Sequence, residues 1–91
     1  MNLEVFYDEH VDKVYRFFYF KSLNVHTAED LTSQTFLAFV EQVSIREIDD
    51  PTKYLYGVMR NMWLGFLRAK YDGALADIED IDDFEVYVNT E

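Results

Sequence analysis

Residues 50–71 decide the fold: Asp50-Pro51-Thr52-Lys53-Tyr54-Leu55-Tyr56-Gly57-Val58-Met59-Arg60-Asn61-Met62-Trp63-Leu64-Gly65-Phe66-Leu67-Arg68-Ala69-Lys70-Tyr71. Asp50 is a good N-cap residue, and Pro51 suits the first helical position, where its missing N–H removes no hydrogen bond. At about 100° per residue, Leu55, Val58, Met59, Met62 and Phe66 fall within roughly 50° of one direction. Lys53 and Arg60 point nearly opposite, flanked by Arg68 and Asn61, with Tyr54 at the border. From Pro51 to Tyr71 the chain carries Lys53, Arg60, Arg68 and Lys70 and no carboxylate. The pattern predicts a helix with one apolar and one cationic face, stopped at Asp72-Gly73.

Two further helical patterns precede it. In the first, Leu3, Phe6, His10, Val14, Phe17 and Lys21 recur at three- and four-residue steps to about Ser22, with Tyr7 and Phe18 widening the stripe. A break follows at Leu23-Asn24-Val25-His26. Thr27 then offers a capping oxygen with Asp30 three residues on, a variant of the capping box. The second helix is expected to reach about Val43 and to bury Leu31, Phe36, Phe39, Val40 and Val43. It is apolar enough to lie between two neighbours, and Ser44 to Asp50 reads as a loop. The fold class is all-α: a compact three-helix domain over residues 1–72, followed by an acidic linker or tail over 73–91.

Composition agrees. The 91 residues suit one domain, and 49% hydrophobic with 18% aromatic residues exclude a disordered chain. One Pro and three Gly supply too few turns for a β-sandwich. The absence of Cys excludes disulfides and Cys-ligated zinc, and suits a reducing cytoplasm. No apolar run approaches the roughly 18 residues of a membrane span, and Met-Asn-Leu-Glu does not open a signal peptide.

The net charge of −10 conceals an uneven distribution. Residues 1–70 hold all eight basic and ten acidic residues, whereas 71–91 hold eight acidic residues and no basic one. The body is near neutral and its last helix is locally basic. In the tail, Leu75, Ile78, Ile81 and Phe84 recur every three residues among carboxylates, as in a short amphipathic helix or a segment ordered by a partner.

Catalytic constellations are missing. His10 and His26 sit on different elements without spaced ligands or nucleophiles, so both read as packed or surface residues. Metalloprotease, phosphate-loop and nucleophile-elbow motifs are absent. Asp77, Asp80 and Asp83 lack the Gly and terminal Glu of a calcium loop. Asp49-Asp50 reads as a turn and a cap. Gly57 and Gly65 are expected to allow close helix packing, and Trp63 to pack or meet a partner. The expectation is a non-enzyme without metal or cofactor.

Three stretches in register resemble region two of the sigma-70 family, nearest to its extracytoplasmic-function branch. They are Phe6-Tyr7-Asp8-Glu9-His10 with Val14-Tyr15-Arg16-Phe17, Ala28-Glu29-Asp30-Leu31-Thr32-Ser33-Gln34-Thr35-Phe36, and Tyr54-Leu55-Tyr56-Gly57-Val58-Met59-Arg60-Asn61. The resemblance covers about residues 3–70. It implies a helical domain that docks on the β′ clamp helices of bacterial core RNA polymerase and captures the non-template strand of the promoter −10 element. By position it places Asp30, Ser33 and Gln34 against the polymerase. It places the loop 44–52, with Lys53, Tyr54, Tyr56, Arg60, Asn61 and Arg68, against DNA. There Lys53, Arg60 and Arg68 meet phosphates, Tyr54 and Tyr56 stack or line a pocket for an extruded base, and Asn61 meets base edges.

The chain departs from the family pattern at four points. Ser33-Gln34 replaces Gln-Glu, Tyr54 replaces Trp, Gly65 stands where Asp is common, and the closing basic run is thinned to Arg68-Ala69-Lys70. Unaided DNA binding is therefore expected to be weak and salt-dependent. Nothing after Gly73 resembles the helix-turn-helix of region four, so the expectation is the N-terminal part of a longer chain, with a stand-alone region-two protein as the alternative. The rival function is a sigma-like interaction domain that binds a regulator, such as an anti-sigma factor, or the clamp without reading DNA. A bare structural three-helix domain is the third reading.

Overall fold

The computed structural model describes residues 1–71, which form three helices: α1 (Leu3–Ser22), α2 (Val25–Ile45) and α3 (Pro51–Tyr71). Among the described residues there is no strand. The expected stop at Asp72-Gly73 and the acidic segment 73–91 lie outside them.

Local capping sets each start. The Asn2 side chain accepts from the Val5 N–H at 3.1 Å and opens α1. Leu23 ends it in the left-handed conformation, φ 53° and ψ 35°, and its N–H donates to the Tyr19 carbonyl. A leucine there is sterically disfavoured, and it lets the chain reverse in two residues. Asn24, not Thr27, is the N-cap of α2: its Oδ1 accepts from the Thr27 N–H at 2.9 Å. The expected Thr27–Asp30 box therefore does not form. Asn24 caps as well as Ser or Thr, and its use lets α2 begin at Val25. Asp50 caps α3 as expected, its Oδ1 accepting from the Lys53 N–H at 3.2 Å.

α2 lies between the other two helices, in contact with both. It buries Ala28, Leu31, Thr32, Thr35, Phe36 and Phe39. Thr32 and Thr35 donate their hydroxyls to the carbonyls of Ala28 and Leu31, both at 2.7 Å, which makes a buried hydroxyl acceptable. Val40, expected in the core, is exposed, and Val43 is only half-buried. From α1 the core takes Val14, Phe17 and Phe18, whereas Leu3 and Tyr7 stay exposed. From α3 it takes Leu55, Met59 and Trp63. The buried line on α3 is thus turned from the expected one, with Val58, Met62 and Phe66 half-buried beside it. Trp63 has the largest apolar surface on the helix, and burying it favours this rotation.

The aromatic core reaches the helix surfaces in one chain of rings. Phe6 stacks on Phe39 at 4.9 Å between centroids, and Phe39 meets Tyr54 at 6.1 Å. His10 joins α1 to the first turn of α3. Its Nδ1 lies 2.8 Å from the Phe6 carbonyl and its Nε2 3.4 Å from the Thr52 hydroxyl. A carbonyl only accepts, so Nδ1 carries a proton, while the Thr52 hydroxyl is able to donate to Nε2 or accept from it. His10 is a packed residue, as its sequence context suggests.

Candidate binding surfaces

Asp30, Ser33 and Gln34 are all exposed on α2, brought to one face by helical spacing alone. Gln34 donates through Nε2 to Asp30 Oδ2 at 2.7 Å, which holds both side chains in one orientation. Leu37 lies one turn further along the same face and is 63% exposed. By residue type alone, a leucine in so apolar a helix reads as core. Its spacing from Ser33 and Gln34 was the available signal. From Val25 to Ile45 the helix holds Glu29, Asp30 and Glu41 and no Lys or Arg. This face suits a partner that offers cations around an apolar contact.

A second surface forms where α2 hands over to α3. Asp50, Lys53, Tyr54, Gly57, Val58 and Asn61 line a groove of about 430 Å³. Lys53, Gly57 and Asn61 succeed one another at four-residue steps along α3, so the absent side chain of Gly57 opens the floor between a cation and an amide. Among the described residues, a Cβ built on Gly57 or Gly65 meets nothing within 4 Å. Neither glycine serves the close helix packing expected of it, since no neighbouring helix approaches. Gly57 keeps the groove open instead.

The sequence-predicted nucleic-acid residues divide. Lys53, Tyr54 and Asn61 meet at the groove. Tyr56 does not, because two residues along a helix turn it to the opposite flank. There its ring lies 6.5 Å from that of His10, and the Lys13 ammonium stands 5.7 Å from its centroid. Tyr54 and Tyr56 therefore cannot line one pocket. Arg60 is half-buried, Arg68 is exposed in the last turn, and neither lines the groove. Trp63 packs on Phe66, with centroids 5.3 Å apart.

Arg46, just past the end of α2, lies in the loop 44–52 that the resemblance places against DNA, although no motif position singles it out. It caps α2, its Nε donates to Gln42 Oε1 at 3.1 Å, and its guanidinium carbon lies 5.1 Å from the centre of the Tyr54 ring. Arg46 also lines a hollow of about 600 Å³ with Met1, Leu3, Val43, Ser44, Glu47, Ile48 and Asp49. The four-residue spacing from Gln42 was legible; the contact with Tyr54 across the loop was not.

Among the described residues no three His, Cys, Asp or Glu side chains gather as metal ligands. No helix among them is long and apolar enough to cross a membrane. The arrangement offers an exposed polar and apolar face on α2 and, at the α2–α3 junction, a groove that brings a cation, an amide and a ring together. Residues 6–72 match the family model described as Sigma-70 region 2. No curated protein and no solved structure matches the chain.

Proposed function

We propose a way of working for this chain, which belongs to the sigma-70 region 2 family and so has a sigma-factor role in transcription initiation. The α2 face of Asp30, Ser33, Gln34 and Leu37 docks on the β′ clamp helices of bacterial core RNA polymerase, in the cytoplasm where that enzyme works. The α2–α3 junction captures the non-template strand of the promoter −10 element. The observation that carries this reading is the groove in which Gly57 leaves room between Lys53, Tyr54 and Asn61.

The chemistry follows from what strand opening costs. Taking a base out of the duplex stack costs a few kcal/mol, and the opened state persists only if the protein holds the base. Base stacking on a protein ring contributes about 1–3 kcal/mol, and a neighbouring cation anchors the backbone. Lys53 supplies that cation and Tyr54 the ring, while the Asn61 amide both donates to and accepts from base edges. Arg68 lies further along α3 and extends the phosphate track. The net charge of −10 opposes tight binding of free DNA, so capture is a task for the polymerase-bound chain.

Lys53→Ala and Asn61→Ala are expected to leave core polymerase binding unchanged and to abolish promoter opening, read by permanganate reactivity of unpaired thymines. Normal opening by both variants contradicts the reading. It would favour the rival, a sigma-like domain that binds a regulator or the clamp without reading DNA, a role the carboxylate-rich α2 face supports.

A further inference from the structure

We propose that the acidic segment after α3, residues 74–91, folds back along the seam between α1 and α3 and docks there, whether or not the chain also takes DNA. α1 approaches α3 at His10, whose Nε2 lies 3.4 Å from the Thr52 hydroxyl, and at Lys13, whose ammonium stands 5.7 Å from the centre of the Tyr56 ring. Those two pairings set the helices side by side in the same direction. The flank of Tyr56 continues along α3 through Arg60, Trp63 and Leu67 at four- and three-residue steps. The flank of Lys13 continues along α1 to Phe20, two turns on.

This seam is apolar and cationic at once. Trp63 is buried, Leu67 is half-buried and Phe20 is 60% exposed, with Lys13 and Arg60 beside them. α3 holds no carboxylate, and Glu9, one turn before Lys13, is the single carboxylate on this flank of α1. Such a surface suits a partner that mixes carboxylates with apolar side chains. Residues 71–91 have that composition, with eight acidic residues and no basic one. Leu75, Ile78, Ile81 and Phe84 recur every three residues, and Asp77, Asp80 and Asp83 keep the same step. Apolar and acidic positions therefore hold one relation along the whole segment.

The segment is long enough to reach. Fifteen residues of α3 separate Tyr56 from Tyr71, about 22 Å at the helical rise. Twenty residues follow Tyr71, and even at the helical rise they cover about 30 Å. Asp72-Gly73 supplies residues suited to a reversal of direction. Attachment to α3 also gives the segment precedence over free partners, because a short tether holds it at roughly millimolar effective concentration. Tyr56 and Arg60, which do not line the α2–α3 groove, have their place in this contact.

The test uses the whole chain, which has no Cys, so Asn89→Cys carries a nitroxide at one known place. Paramagnetic broadening of amide signals is expected at Lys13, Phe20 and Tyr56 and not at Leu37 and Glu41, which are exposed on the outer face of α2. It should persist when the labelled chain is diluted with chain that carries neither isotope nor nitroxide. Lys13→Gln with Arg60→Gln should remove most of it, while unchanged signals from the α2 face show that the variant is folded. Salt at about 1 M, where charges are screened beyond about 3 Å, should weaken it in the chain with both cations intact. Broadening absent from the seam, or equal on both faces, overturns the proposal. Broadening that disappears on dilution also overturns it, since a second copy would then be the occupant. So does broadening that neither salt nor the double substitution reduces.

Discussion

On α2, Asp30, Ser33 and Gln34 are neighbours because three or four residues complete a helical turn. At the α2–α3 junction, Arg46 and Tyr54 are neighbours because a short loop brings the start of one helix beside the end of another. The first surface needs only a helix. The second needs the helices packed in one register, since Tyr54 is held by Phe39 from below and met by Arg46 from above. A change in the core is therefore expected to reach the junction first, whereas changes on the α2 face stay local.

Phe39→Ala breaks that dependence most severely. Phe39 is 1% exposed and touches both Phe6 and Tyr54. Its truncation is expected to cost about 3–5 kcal/mol in urea unfolding followed by circular dichroism. Small domains hold about 5–15 kcal/mol in all, so the variant should be marginal. A cost below about 1 kcal/mol would mean that the ring is not the strut between core and junction.

The two glycines sharpen the comparison at smaller amplitude. Both are helical and both have open space where a Cβ would stand, so Gly57→Ala and Gly65→Ala should each stabilise the chain by about 1 kcal/mol. Only Gly57 lines the groove. Gly57→Leu should therefore impair promoter opening, and Gly65→Leu should not. Equal effects on opening would show that the groove has no special part.

At the entrance to α2, Asn24→Ala is expected to cost about 1 kcal/mol, because it removes the oxygen that accepts from the Thr27 N–H. Thr27→Ala should cost distinctly less, since that hydroxyl caps nothing. The reverse order in thermal unfolding would restore the cap that the sequence favoured.

The difference between the surfaces also explains what the sequence could tell. Helix periodicity, the Asp50-Pro51 start and the placing of α2 between its neighbours follow from local spacing, and all three are seen. The α2 face was legible for the same reason. Thr27 misled because Asn24, three residues earlier, is as good a cap and starts the helix sooner, and no spacing rule ranks the two. That Tyr54 and Tyr56 occupy opposite flanks follows from their two-residue spacing on a helix. Gly57 and Arg46 required the packed structure: one matters through the space it leaves, the other through a ring eight positions away.

The central claim is that one face of α2 docks polymerase while a separate junction takes DNA. It is tested most directly by measuring the affinity of residues 1–91 for bacterial core RNA polymerase with Asp30→Ala, Gln34→Ala and Lys53→Ala variants. The account predicts clear weakening by the first two, no change with Lys53→Ala, and unfolding free energies within about 0.5 kcal/mol of wild type for all three exposed sites. No binding of a well-folded wild type, or equal weakening by all three variants, would contradict it.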